Sequence, residues 1–203
     1  MTFLETILEE ILRVFKTEGI EANSEEDIIK KLDIRTSTFR ELFSSKKEMV
    51  KQVTLFDVAE QKKEQARILA KASNPVEEIM LLLQNGIKKL GEINPVMIEE
   101  LQHHYPDSWA ISTDFLINYN QHLNAEIINK GILQGYFRKD INIQLVTKIL
   151  LEQFFMMINP AVFPPSRYNL AEVFRSIYLY YVRGICTEAG GKLAEEFFAK
   201  NNM

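Results

Sequence analysis

Apolar residues recur at helical spacing along almost the whole chain, and no segment alternates with period two. A half-buried strand needs that alternation, whereas a repeat of about 3.6 residues gathers apolar side chains on one face of a helix. The expectation is therefore an all-α fold. Phe3, Ile7, Ile11 and Phe15, with Leu4, Leu8 and Leu12, make the first such face, and Gly19 is a natural stop. Ser24 and Asp27 form a capping-box pair that opens a second helix, whose buried side is Ile28, Ile29 and Leu32. Asp33, a residue type that tolerates the left-handed turn, leads to a third helix over about 36–43. Ser45 and Glu48 open a fourth that extends toward residue 72, and its stretch "EQKKEQAR" (60–67) is polar all round, as suits an exposed connector.

Punctuation stays clear beyond. "SNP" (73–75) and "NP" (94–95) start a fifth and a sixth helix, a seventh runs from 108 to about 134 with Gly135 as its stop, and an eighth spans 143–158. Asn169 caps a ninth to about residue 188, where Gly190-Gly191 is expected to break it before a short terminal helix over 192–200. The count is about nine helices. The longest apolar runs are as short as "FFMMI" (154–158), far below a membrane span. The opening "MTFLETILEE" is acidic and periodic, unlike a signal peptide. The expected location is cytoplasmic. The lone Cys186 forms no intrachain disulfide and is expected to be a small buried hydrophobe on a helix.

On a 100° wheel Phe39, Leu42 and Phe43 point one way, while Ser37, Glu41 and Ser44 point the other, flanked by Thr38 and Arg40. A second helix, a tight turn and a third helix with a polar outer face make the helix-turn-helix arrangement, whose third helix can enter a major groove. The sequence adds a resemblance here. Over residues 7–50, "ILEEILRVFKTEGIEANSEEDIIKKLDIRTSTFRELFSSKKEMV" is similar to the N-terminal domain of the tetracycline-repressor-like (TetR/AcrR) regulators. Ile7, Leu8, Phe15, Gly19, Ser24, Ile28, Ile34, Thr38, Phe43, Ser45, Lys46 and Met49 match that family pattern in spacing. The chain departs from it at the turn glycine (Asp33), the small residue after the turn (Arg35), the recognition-helix glycine (Ser37) and the aromatic triplet (Arg40-Glu41-Leu42), and it lacks the family's basic arm. "GILQGYFRKDIN" (131–142) resembles the family's turn before its first dimerisation helix.

The resemblance implies a helix-turn-helix DNA-binding domain over residues 1–47 and a helical ligand-binding and dimerisation domain over 48–203. It implies a double-stranded DNA operator, a small apolar or amphipathic effector, and a homodimer built through helices at about 143–158 and 169–188. The expected DNA side carries Arg35, Thr36, Ser37, Thr38, Arg40, Glu41 and Lys46, of which Lys46 matches the family's phosphate-contacting lysine. Residues 1–50 hold eight Lys/Arg against eleven Asp/Glu, a net of −3, although most of the acids cluster in sequence at 5, 9, 10, 18, 21 and 25–27, before the residues of that side. Glu41 could accept from a cytosine amine or pair with Arg40 or Lys47. An effector cavity is expected among Met80, Leu83, Trp109, Phe115, Tyr119 and Phe154, with His103 and His122 as buried polar groups seeking a partner.

The implied function is a ligand-responsive transcriptional regulator, in the form of a repressor. The alternative is a helical ligand-binding or interaction protein of the same fold without specific DNA binding, which the acidic N-terminal segment suggests. Glu100-x-x-His103 is one unit of a di-iron bundle site, but a bundle needs two such units with two further glutamates, and they are lacking. No Ser/His/Asp pattern, phosphate loop or dinucleotide fingerprint occurs, so neither enzymatic activity nor a cofactor or metal is expected.

Overall fold

The computed structural model describes residues 2–201. Among these residues there is no strand, only a single antiparallel bridge between Phe137 and Cys186, and the fold is all-α. The chain divides into two compact units, Met1–Lys63 with Glu92–Phe115, and Glu64–Gly91 with Leu116–Met203. A segment from mid-chain thus packs with the N-terminal helices.

In the first unit, α1 (Phe3–Glu18) starts on a capping box in which the Thr2 hydroxyl accepts from the Glu5 N–H and the Glu5 carboxylate accepts from the Thr2 N–H. The predicted Ser24–Asp27 capping box opens α2 (Glu25–Leu32). This helix ends at Asp33, whose φ of 51° and ψ of 44° are left-handed. Two residues later comes α3 (Thr36–Leu42), and the Ser45 hydroxyl caps α4 (Lys46–Leu69), which belongs to this unit as far as Lys63, by accepting from the Glu48 N–H at 3.2 Å. The unit is completed by α6 (Pro95–His104) and α7 (Pro106–Asp114). Ile11, Phe15, Ile20, Ile28, Phe39, Phe43 and Met49 are fully buried in its core, which Met97, Leu101 and Tyr105 close from the mid-chain segment. A fully buried side chain of this size contributes about 1.5–3 kcal/mol.

The second unit holds α5 (Pro75–Glu92), α8 (Gln121–Leu133), α9 (Ile143–Met157), α10 (Leu170–Ile185) and α11 (Glu188–Asn201) around Val76, Ile79, Met80, Leu83, Ile127, Ile128, Phe137 and Val182. Asn74, Asn142 and Asn169 each accept backbone N–H bonds at a helix start. Two expectations are corrected here. The single long helix predicted over 108–134 is α7, a π-helical stretch (Phe115–Asn120) and α8 in succession. The Gly190-Gly191 break does not exist: α10 ends at Ile185, the Thr187 hydroxyl accepts from the Gly190 N–H, and α11 runs through both glycines. Gly190 is there for close approach, since a β-carbon would lie 2.1 Å from the Tyr136 carbonyl oxygen. Cys186, expected within a helix, instead caps the end of α10 half-buried, and burial pushes its thiol up to about 11. No helix of the described residues is long and apolar enough to cross a membrane.

Candidate nucleic-acid interface and ligand site

The outer face of α3 is built by its inner one. Phe39 and Phe43 are fully buried one turn apart, their rings 5.2 Å between centroids. With that face fixed, Arg35, Thr36, Ser37, Arg40 and Glu41 stand exposed and Thr38 and Lys46 are half-buried. The left-handed turn at Asp33 and the two residues after it separate α2 from α3.

Two of the cations on that side already have partners. The Arg40 guanidinium lies over the Phe39 ring and meets the Glu25 carboxylate at 2.6 Å. Of the pairings considered for Glu41, the one with Arg40 is thus taken by Glu25. Lys46 meets Glu21 at 3.1 Å, and the same Glu21 oxygen accepts from the Tyr105 hydroxyl at 2.5 Å. That hydroxyl bond, followed by Lys46, holds the Glu21 carboxyl below its ordinary range, while burial and Glu21 push the Tyr105 hydroxyl upward. Ion pairs near the surface, such as these partly exposed ones, contribute only about 0–1 kcal/mol, so a phosphate oxygen can compete for either cation. Beyond Tyr105, α6 and the residue before it bond to the end of α1: Glu100 accepts from the Ile20 N–H at 2.5 Å, and the Asn94 N–H donates to the Lys16 carbonyl at 2.7 Å. Sequence reasoning assigned none of these roles to Glu21, Glu100 or Tyr105.

The residues expected around an effector are divided between the two units. Trp109 packs half-buried against the core of the first unit, and Phe115 is buried at that unit's end. Met80 and Leu83 are fully buried in the core of the second unit, where Tyr119 and Phe154 are half-buried. His103 and His122 are corrections. Both are exposed, with His103 Nδ1 2.8 Å from the Glu99 carbonyl and His122 Nε2 3.3 Å from Glu126. A histidine in water needs no ligand to satisfy it. Glu100 is likewise engaged with the backbone, and no group of three or more His, Cys, Asp or Glu among the described residues is placed to hold a metal.

The second unit has a different polar centre. Gln65 of α4 donates to the Asn120 side chain at 3.1 Å, and Asn124 of α8 donates to the Asn120 carbonyl at 2.8 Å. Burial pushes the Tyr178 hydroxyl up to about 12. The Tyr181 ring lies 6.0 Å from that of Tyr178. Gln65 Oε1, Asn124 Oδ1 and the Tyr181 hydroxyl are buried with no hydrogen-bond partner. Leaving such an atom unmatched costs about 1–3 kcal/mol. Aromatic rings border the group: Phe174 lies 4.8 Å from Tyr178 and 6.4 Å from Phe154. Gly86 of α5 admits the Phe174 ring, for a β-carbon there would lie 2.6 Å from it. The spacing Asn120, Asn124 and the run Phe174, Tyr178, Tyr181, each on one helix face, is the sequence signal that could have revealed this cluster.

No protein-family model matches the chain, and no curated protein matches it by sequence. Solved structures do match its fold. A TetR transcription regulator from Haloarcula marismortui aligns with a TM-score of 0.73 at 20% identity, over 90% of this chain and 97% of that one. A putative transcriptional regulator from Saccharomonospora viridis, solved in complex with choline, aligns with a TM-score of 0.71 at 17% identity, over 90% and 96%. A TetR-family regulator from Agrobacterium tumefaciens aligns with a TM-score of 0.70 at 15% identity, over 89% and 96%. The fold of this chain is that of the TetR-type regulators over nearly its whole length.

Proposed function

We propose that this protein is a ligand-responsive transcriptional regulator that binds an operator as a homodimer and is released from it by a small effector. The observation that carries the reading is the helix-turn-helix: a left-handed Asp33 turn followed by a short helix whose Arg35, Thr36, Ser37 and Arg40 face solvent while Phe39 and Phe43 anchor it. Arg40 and Thr38 are the side chains to reach base edges or phosphates, and Lys46 the one to hold a phosphate once it leaves Glu21. The fold match supports this reading, and the choline complex of one structural neighbour supports a small-molecule effector for the fold. Leu145, Ile149 and Met156 on α9 and Tyr180 on α10 are exposed at 58%, 53%, 41% and 76%, an apolar surface that suits a second copy of the chain.

The test is selection of a duplex from random sequence, followed by fluorescence anisotropy against the selected and a scrambled duplex at two salt concentrations. The expected result is a site bound preferentially, with affinity falling as salt rises and dropping about tenfold or more in Arg40→Ala. Equal, weak binding to every duplex sinks the reading.

A further inference from the structure

We propose that the amide–tyrosine cluster of the second unit is the binding site for a neutral, planar molecule carrying hydrogen-bond donors, of which a phenol is the simplest example. The proposal rests on the ligand-responsive reading above and names the site and the chemistry that reading leaves open. Gln65 and Asn124 each spend amide hydrogens on Asn120, which leaves their carbonyl oxygens as the unmatched atoms. A carbonyl oxygen can only accept, so the complementary group must donate. The Tyr181 hydroxyl, likewise buried without a protein partner, can donate or accept. Gln65, Asn120, Asn124, Tyr178 and Tyr181 carry no formal charge, so a buried cation or anion there would find no counter-charge among them. The rings of Phe154, Phe174, Tyr178 and Tyr181, spaced at 4.8 to 6.4 Å, offer edges and faces to a flat body. The π-helical stretch ends at Asn120, the residue that both amides grip, and π turns inside α-helices frequently accompany functional sites.

The experiment is isothermal titration calorimetry on the full chain with phenol, anisole, choline and benzoate, alongside thermal unfolding of Tyr181→Phe and Asn124→Leu. Phenol is expected to bind saturably, and anisole, which keeps the ring but cannot donate, about tenfold more weakly. Tyr181→Phe deletes only a hydroxyl that has no protein hydrogen-bond partner. It is therefore expected to unfold at the same or a higher temperature while losing about tenfold in phenol affinity. Asn124→Leu is expected to lose phenol binding and serves if Tyr181→Phe proves unstable. Equal affinity for phenol and anisole, tighter binding of choline or benzoate, no phenol binding at millimolar concentration, or full affinity in both variants overturns the assignment. None of these readouts involves DNA. A selected operator without phenol binding removes only this assignment, and phenol binding without any selected duplex removes the regulator reading and leaves the site.

Discussion

Asp33 occupies a backbone conformation that L-residues with a β-carbon pay to adopt, and it does so at the C-terminal end of α2, where the helix dipole disfavours its negative charge. Both effects have the same sign. Asp33→Gly is therefore expected to raise stability by about 0.5–1 kcal/mol in urea unfolding, and a lower stability would show that the carboxylate makes a contact worth more than its strain. Glu21 gives a pH-dependent case. Its folded-state carboxyl titrates below the ordinary 4.5 because Tyr105 and then Lys46 favour the charged form. A depressed folded value means stability that is present above pH 4.5 and is lost as pH falls through the lowered value. Glu21→Gln should thus be less stable than the parent at pH 7, with the difference closing in acid, as read by thermal unfolding across pH 2–7. Features that depend on two or three neighbouring residues were legible in the sequence: the Ser24 and Asn169 caps and the left-handed Asp33 all stand where expected. His103 and His122 were not, because which side of a helix faces water is set by what packs on the other side.

At the scale of elements, the helices and most of their ends follow from periodicity and caps, and the misreadings share a cause. The glycine pair at 190–191 looks like a break because glycine weakens helices, yet Gly190 serves the bridge region, where the Tyr136 carbonyl takes the place a side chain would fill. Gly190→Val is consequently expected to cost about 1–3 kcal/mol, measurable by chemical denaturation, whereas the neighbouring Gly191→Ala, which meets nothing within 4 Å, should be neutral or stabilising. The π stretch was illegible because one widened turn leaves the apolar pattern of 108–134 nearly intact. The amide cluster was hidden for a further reason: Gln65 sits in a run that is polar all round, and only the fold turns it inward while its neighbours Ala66 and Arg67 stay exposed.

At the scale of the whole molecule, the exposed apolar residues of α9 and α10 set the expected assembly. Ile149→Glu places a charge where a second copy is proposed to pack, and should convert a dimer into a monomer by sedimentation velocity while leaving helical content unchanged. A dimer that survives this change would move the subunit contact elsewhere. The discontinuous first unit has a consequence of another kind. Met97, Leu101 and Tyr105 close the core around α1–α3, and Glu100 ties down the Ile20 amide. The core around α1–α3 is therefore incomplete when those helices leave the ribosome. At roughly 5–20 residues per second, it stays open for several seconds of synthesis until the segment carrying α6 emerges, and over that interval the nascent chain exposes Ile11, Phe15 and Phe39 to whatever chaperone meets it first.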